Sequence, residues 1–197
     1  KDQLVLTGKI NDVGAYTRVN VPRSYRAGIE LQVKYALNKY FNSSYNITLS
    51  QNKIEEFTEY IDDYDQYTQV AIPHKNTNIA LSPSLTTNRT FNWKPNDKLS
   101  FFWTSKYTSR QFLDNTQNND RILDAFFIND INAHWTILNK TKFTMLLQLY
   151  ANNVFDVQYA PNGYTFSYIY DRTLTTSNNF YPMAGRNYWI SLKIDIK

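Results

Sequence analysis

The sequence predicts an all-β chain: an antiparallel run of about eight membrane-crossing strands that forms part of a barrel wall. Three observations carry this. Polar and apolar side chains alternate through segments longer than soluble strands. Short and long connections follow one another in strict order. Aromatic residues gather at both ends of the segments.

The opening Lys1-Asp2-Gln3-Leu4-Val5-Leu6 reads as the middle of a strand. It lacks the charged start and apolar core of about 7–15 residues that mark a signal peptide. The expectation is a piece of a longer polypeptide or a processed product.

The clearest segment follows. Ala27, Ile29, Leu31, Val33, Tyr35 and Leu37 share one face, while Arg26, Gly28, Glu30, Gln32 and Lys34 take the other. Successive side chains of a strand point to opposite faces. Twelve residues without a break, 26–37, exceed the roughly 5–6 of a soluble strand. They match the roughly 9–11 that a tilted membrane-spanning strand needs.

The pattern then repeats. Tyr45, Ile47 and Leu49 alternate with Asn46, Thr48 and Ser50; Ile79, Leu81, Leu85, Phe91 and Trp93 mark a longer segment, in which Pro83 requires a bulge because proline cannot donate to a ladder. Leu99, Phe101, Trp103 and Tyr107 begin the next. Ile131, Ala133, Trp135 and Ile137 alternate with Asp130, Asn132, His134 and Thr136; Phe143, Met145, Leu147, Leu149 and Ala151 follow. The closing segment sets Tyr188, Ile190, Leu192, Ile194 and Ile196 on a lipid face, against Ser191, Lys193 and Asp195.

Tight turns at residues 37–40, 94–97 and 138–141 separate longer polar stretches at roughly 7–22, 60–75, 114–121 and 156–185. Outer-membrane barrels alternate short periplasmic turns with long extracellular loops in this way. Tyr35, Tyr40, Phe41, Trp93, Trp135 and Phe143 lie beside the short turns, and Tyr25, Phe57, Tyr107, Phe155 and Tyr188 towards the long loops. Two such groups match interfacial girdles.

Composition excludes other classes. The formal charge of +4 is spread along the chain, so no basic block predicts nucleic acid as a partner. Cysteine is absent, which removes disulfide and thiolate chemistry. Mean hydropathy of −0.54 is compatible with a barrel, whose strands meet lipid only at every second residue.

No catalytic constellation, phosphate-binding loop or dinucleotide fingerprint occurs, so no enzyme is predicted and no cofactor. His74 and His134 have no His or Cys at ligand spacing; no metal site is expected, and His134 reads as polar lumen lining. Asp62-Asp63-Tyr64-Asp65 lacks the glycine and distal glutamate of a calcium loop and reads as solvated.

Residues 156–185 form the most functional-looking stretch, carrying Tyr159, Asn162, Tyr164, Phe166, Tyr168, Tyr170 and Arg172. Aromatics with an arginine suit capture of a planar or anionic ligand. Tyr159, Asn162, Tyr164, Tyr168 and Arg172 are the predicted ligand contacts.

Near the carboxyl end, Asn152-Asn153-Val154-Phe155-Asp156-Val157-Gln158-Tyr159 resembles the N-x-F-(D/N)-x-x-Y segment of TonB-dependent outer-membrane receptors. Phe180-Tyr181-Pro182-Met183-Ala184-Gly185-Arg186 resembles that family's Y-P-x-x-G-R approach to its closing strand. Tyr16-Thr17-Arg18 and residues 21–30 resemble one of its loops and a descending strand.

The resemblance implies the last eight strands of a barrel of about 22 with a plugged lumen. The plug and earlier strands would lie outside residues 1–197. It implies the bacterial outer membrane as location, uptake of a siderophore-iron, haem or vitamin type of nutrient rather than a glycan, and TonB as a partner of the absent amino-terminal part. Such receptors end on an aromatic residue, whereas Ile196-Lys197 stand here. Two alternatives remain open: a stand-alone eight-stranded barrel, and a soluble β-rich ligand-binding module.

Overall fold

A computed structural model describes residues 3–10, 16–21 and 23–196. Lys1, Asp2, Pro22 and Lys197, named above, lie outside them. In chain order the strands are β1 (Gln3–Ile10), β2 (Tyr16–Val21), β3 (Ser24–Ala36), β4 (Phe41–Asp63), β5 (Thr68–Asn78), β6 (Leu85–Asn96) and β7 (Leu99–Thr108). They continue as β8 (Gln111–Phe112), β9 (Ile122–Leu123), β10 (Phe126–Lys140), β11 (Phe143–Asn152), β12 (Asn162–Tyr170), β13 (Thr173–Tyr181) and β14 (Asn187–Ile196).

Seven of these make a curled antiparallel wall in the order β3-β4-β6-β7-β10-β11-β14. The register aligns the apolar sets. Ile29 stands opposite Leu49 and Leu31 opposite Ile47; Trp93 pairs Phe101, Trp135 pairs Leu147 and Leu147 pairs Leu192. A one-residue slip would turn each set to the opposite face, so the pattern itself fixes the register.

Asparagine shapes two short turns. Asn38 Oδ1 accepts the Tyr40 and Phe41 backbone N–H groups, and Asn96 Oδ1 accepts those of Lys98 and Leu99. Such Asx turns reverse the chain without glycine.

Among the described residues the wall strands bury few side chains, such as Ser43, Asn92, Ile128 and Asn129. Ile29 is 71 % exposed, Leu31 52 % and Leu192 53 %; Leu147 is half-buried. On β3 every position after Ser24 is exposed, on both faces. A soluble β-module would enclose these side chains, so the structure speaks against that alternative. It also speaks against a stand-alone closed barrel, because β3 and β14 end the sheet without pairing each other.

Three details differ from expectation. The opening segment belongs to a hairpin with β2, outside the wall ladder. The segment through Pro83 begins only at Leu85; residues 79–84 lie outside any strand, and the Pro83 carbonyl accepts a hydrogen bond from Ser50 Oγ. The stretches at 60–75 and 156–185 hold the hairpins β4–β5 and β12–β13.

At the loop end a second kind of structure begins. Val5, Val21, Ile54 and Ile79 form a buried cluster, with Phe57 packed against it. Ile61, Phe112, Leu113 and Leu123 are also buried, outside this cluster.

Candidate ligand site at the loop end

The β4 strand, 23 residues long, builds the site by leaving the wall. Its first half pairs with β3 and β6, and its second half with β5. Buried positions shift from even (Asn52, Ile54) to odd (Ile61, Asp63). The shift coincides with a gap in the ladder at Glu55, where Asn76 opposite takes a φ of +55°. Beyond that gap the odd face carries Phe57, Glu59 and Ile61, which all line a cavity.

The segment joining β7 to β10 supplies the central charge. Arg121 donates from Nη1 to Glu59 Oε1 (2.7 Å) and to Asp114 Oδ2 (2.6 Å), and from Nη2 to Ser167 Oγ (2.8 Å). Its side chain is only 6 % exposed, against 14 % for Glu59 and 23 % for Asp114. Burial acts to lower the guanidinium pKa, and the hydrogen bonds and charges of Glu59 and Asp114 outweigh it, so the net direction is upward. Glu59 also meets His74 Nε2 at 2.8 Å, and the His74 ring stacks on Phe57. One arginine thus joins β4, its own loop and β12.

The hairpin β12–β13 crosses from the β11–β14 side of the wall to β4. Its tip, Asp171-Arg172, has both φ angles positive (49° and 58°), as a tight two-residue reversal requires. Both backbone N–H groups of the tip donate to the Asp65 carboxylate, at 2.9 and 2.7 Å. Tyr64 N–H donates to the Ile169 carbonyl, and β12 adds a short parallel pairing to β4 at Tyr168↔Asp62 and Ile169↔Asp63. Gly163 permits the close approach; a Cβ there would stand 2.5 Å from the Asn179 carbonyl oxygen and 2.9 Å from Leu113 Cδ2.

Between β1–β2, β4, the residue 113–121 loop and β12 lies a cavity of about 390 Å³. Phe57, Tyr60, Tyr164 and Phe166 contribute rings to its lining, and Arg18, Arg26 and Arg121 contribute guanidinium groups. The Arg121 Nε is buried without a hydrogen-bond partner. Such a lining offers aromatic faces for stacking and donors for an acceptor-rich ligand.

Of the predicted contacts, Tyr164 lines this cavity. The Tyr168 ring stacks with that of Phe166 and meets the Tyr64 ring at a tilt of 52°. Arg172 is exposed at the hairpin tip, and Asn162 is exposed with Oδ1 accepting the Gly163 N–H. Tyr159 lies apart, its ring 4.6 Å from that of Phe126. Burial and the Asp130 charge raise its pKa. The five do not converge on one point.

Arg121, Glu59, Asp114 and Phe57 were not singled out as contacts by sequence reasoning. Phe57, expected near an interfacial girdle, faces the cavity instead. The only local signal was an acid and an arginine in one polar loop.

The two carboxyl-end motifs prove to be a clasp. Asn153 donates to the Val157 and Ala184 carbonyls and accepts the Val157 N–H. Asp156 Oδ1 accepts the Arg186 N–H at 2.7 Å, and a Cβ on Gly185 would stand 2.5 Å from that same oxygen. The acidic run is likewise engaged within the chain: Asp63 Oδ1 accepts the Asp65 and Gln66 N–H groups, and Asp62 Oδ1 accepts the Gln69 side-chain amide. Among the described residues no group of three or more potential ligands could hold a metal ion.

No family model and no curated protein matches the chain. Solved structures do. They include the siderophore receptor PiuA from Acinetobacter baumannii, with a TM-score of 0.67 and 15 % identity over 98 % of this chain and 24 % of that one. The copper transporter OprC gives 0.64 and 15 % identity, over 99 % and 27 %. The ferric-catecholate import receptor Fiu from E. coli K12, in its closed form, gives 0.57 and 13 % identity, over 100 % and 23 %.

At these identities the likeness is one of fold. The fold is that of the barrel wall of TonB-dependent outer-membrane receptors, in agreement with the resemblance read from the motifs. The chain spans about a quarter of the length of the structures it matches.

Proposed function

We propose that residues 1–197 are the C-terminal portion of an outer-membrane active-transport receptor for a scarce nutrient. The wall would meet outer-membrane lipid through its apolar face, including Tyr188, Ile190, Leu192 and Ile194 of β14. The remaining strands and the plug would complete the barrel, and TonB would engage the amino-terminal part. The observation that carries this reading is the pairing of an exposed apolar wall with an ordered cap around an aromatic and arginine-lined cavity.

That lining favours a compact ligand with planar and acceptor groups, of the siderophore-iron, haem or vitamin kind, over a glycan. Neighbours of the same fold include siderophore receptors and a copper transporter, which supports metal-linked cargo. Tyr164, Tyr168 and Arg172 remain ligand contacts in this reading, joined by Phe57 and Phe166.

The test is uptake by cells expressing the full-length receptor under iron or cobalamin limitation, with ferric siderophores, haem and cobalamin supplied in turn. One of these should restore growth in a TonB-dependent manner. Recovery of the full-length protein in the soluble fraction, or growth rescue that survives loss of TonB, would overturn the reading.

A further inference from the structure

The β12–β13 hairpin has two unlike sides. Residues directly opposed across an antiparallel pair share a side, so Thr165 and Ser167 lie with Asn178 and Thr176. Alternation adds Gly163 to them. That side packs inward: Ser167 Oγ accepts from Arg121 Nη2, Asn178 Nδ2 donates to the Asp120 carbonyl, and a Cβ on Gly163 would meet Leu113. The opposite side turns away from the residue 113–121 loop and carries a row of rings.

The row runs Tyr181, Tyr164, Phe166, Tyr168 and then Tyr64, the residue that follows β4. Successive ring centroids are 5.8–6.4 Å apart. Tyr64, Tyr164, Phe166 and Tyr181 are each 41–56 % exposed. Tyr164 and Phe166 also border the cavity, and the row extends from them in both directions.

A polar column runs beside the rings. Asn179, Ser177 and Thr175 stand opposite Tyr164, Phe166 and Tyr168, and no ladder position on this side is charged. Among the described residues the hydroxyls of Tyr64, Tyr164, Tyr168 and Tyr181 have no hydrogen-bond partner.

A contiguous exposed row of this kind marks a binding surface, and the polar column narrows what it binds. A pyranose ring presents C–H groups on its flat face and hydroxyls around its rim. Aromatic rings stack on the first, while Asn, Ser, Thr and Tyr side chains exchange hydrogen bonds with the second. We propose that this side of the hairpin binds a neutral, extended chain of pyranose sugars met outside the cell. A straight row favours a flat β-linked ribbon over a coiling chain. Its lack of charge favours a neutral glycan over the acidic saccharides of the outer leaflet. The platform is already fixed, by Asp65 at the hairpin tip and by Arg121 beneath it, so binding orders little further. The sugar is held on the surface of the cap and is not the cargo. The inference takes from the transport reading only that this end of the wall faces the exterior.

The experiment titrates cellohexaose into the full-length receptor by calorimetry, in a detergent without a sugar head group. The wild type should bind cellohexaose far more tightly than glucose, because only the chain spans several rings. Tyr181→Ala should lower the affinity by about tenfold, the size of one lost ring contact, and Tyr64→Ala by a similar factor. Tyr181→Phe keeps the ring and should keep most of the affinity. Tyr67→Ala, at an exposed turn tyrosine outside the row, should change nothing. Nutrient uptake should be unchanged in all four variants, since none of these residues lines the cavity.

No binding of cellohexaose by the wild type, equal affinity for glucose, or unchanged affinity in both Tyr181→Ala and Tyr64→Ala would overturn the proposal. Tighter binding of the core oligosaccharide of lipopolysaccharide than of cellohexaose would overturn the neutral external chain as the occupant. Heat-modifiable gel migration is read on each variant to establish that it is folded. Uptake that persists without sugar binding would overturn only this site, and sugar binding without TonB-dependent uptake would overturn only the transport reading.

Discussion

The wall and the cap of this chain solve opposite problems with the same kind of strand. The wall has almost nothing buried; β3 is exposed from end to end beyond Ser24. The cap holds Ile54 at 0 % exposure and an arginine at 6 %, fixed between two carboxylates. A wall between hydrocarbon and a polar lumen needs a ladder and correct alternation, because each face is matched to its own medium. Loops in water have no such second medium. They must build their own interior, and they do so with Val5, Val21, Ile54 and Ile79 and with a buried ion cluster.

Substitutions can break or sharpen this contrast. The largest effect is expected on the wall: Leu31→Arg should cost up to about 4 kcal/mol in the full-length receptor, measured by unfolding from bilayers. A cost below about 0.5 kcal/mol, the usual size at a water-exposed site, would mean that this face does not meet lipid.

Next is the cap. Arg121→Met leaves Glu59 and Asp114 without their shared cation and should lower local stability by about 2–3 kcal/mol, a discount on a fully buried pair for their partial exposure. Hydrogen exchange should show it in β12 and the residue 113–121 loop, with the wall ladders unchanged. Spread of the effect into β3 or β14 would show the two regions to be one cooperative unit.

Asp65→Ala removes the acceptor of two backbone N–H groups and should release the β12–β13 tip by about 1–2 kcal/mol, seen as faster exchange at Asp171 and Arg172. Least of all, Glu56→Gln breaks only the exposed 3.7 Å pair with Lys75. It should shift stability by less than about 0.5 kcal/mol.

The same contrast explains what could be read in the sequence. Alternation in residues 26–37 and 188–196 declares itself because a strand sends successive side chains to opposite faces, so a sheet with two unlike faces carries a period of two along the whole strand. The cap has no such rule. Glu59 reaches the cavity only because the alternation inverts near Glu55, and Arg121 meets Glu59 across 62 residues. Neither position carries a periodic mark. Asn153, Asp156 and Gly185 were visible as motif residues, yet their work is to hold the clasp before the closing strand. Motif spacing located them without distinguishing a fastening from a ligand contact.

The β12–β13 hairpin has a mechanical consequence. Between β4 and β11 the sheet runs through β6, β7 and β10, and the hairpin joins the two ends of that arc by the shorter route. It acts as the string of a bow. Flattening the arc would stretch the string at its knot, where Asp65 grips Asp171 and Arg172, so the radius of curvature on this side is set partly by the length of a loop that lies outside the wall.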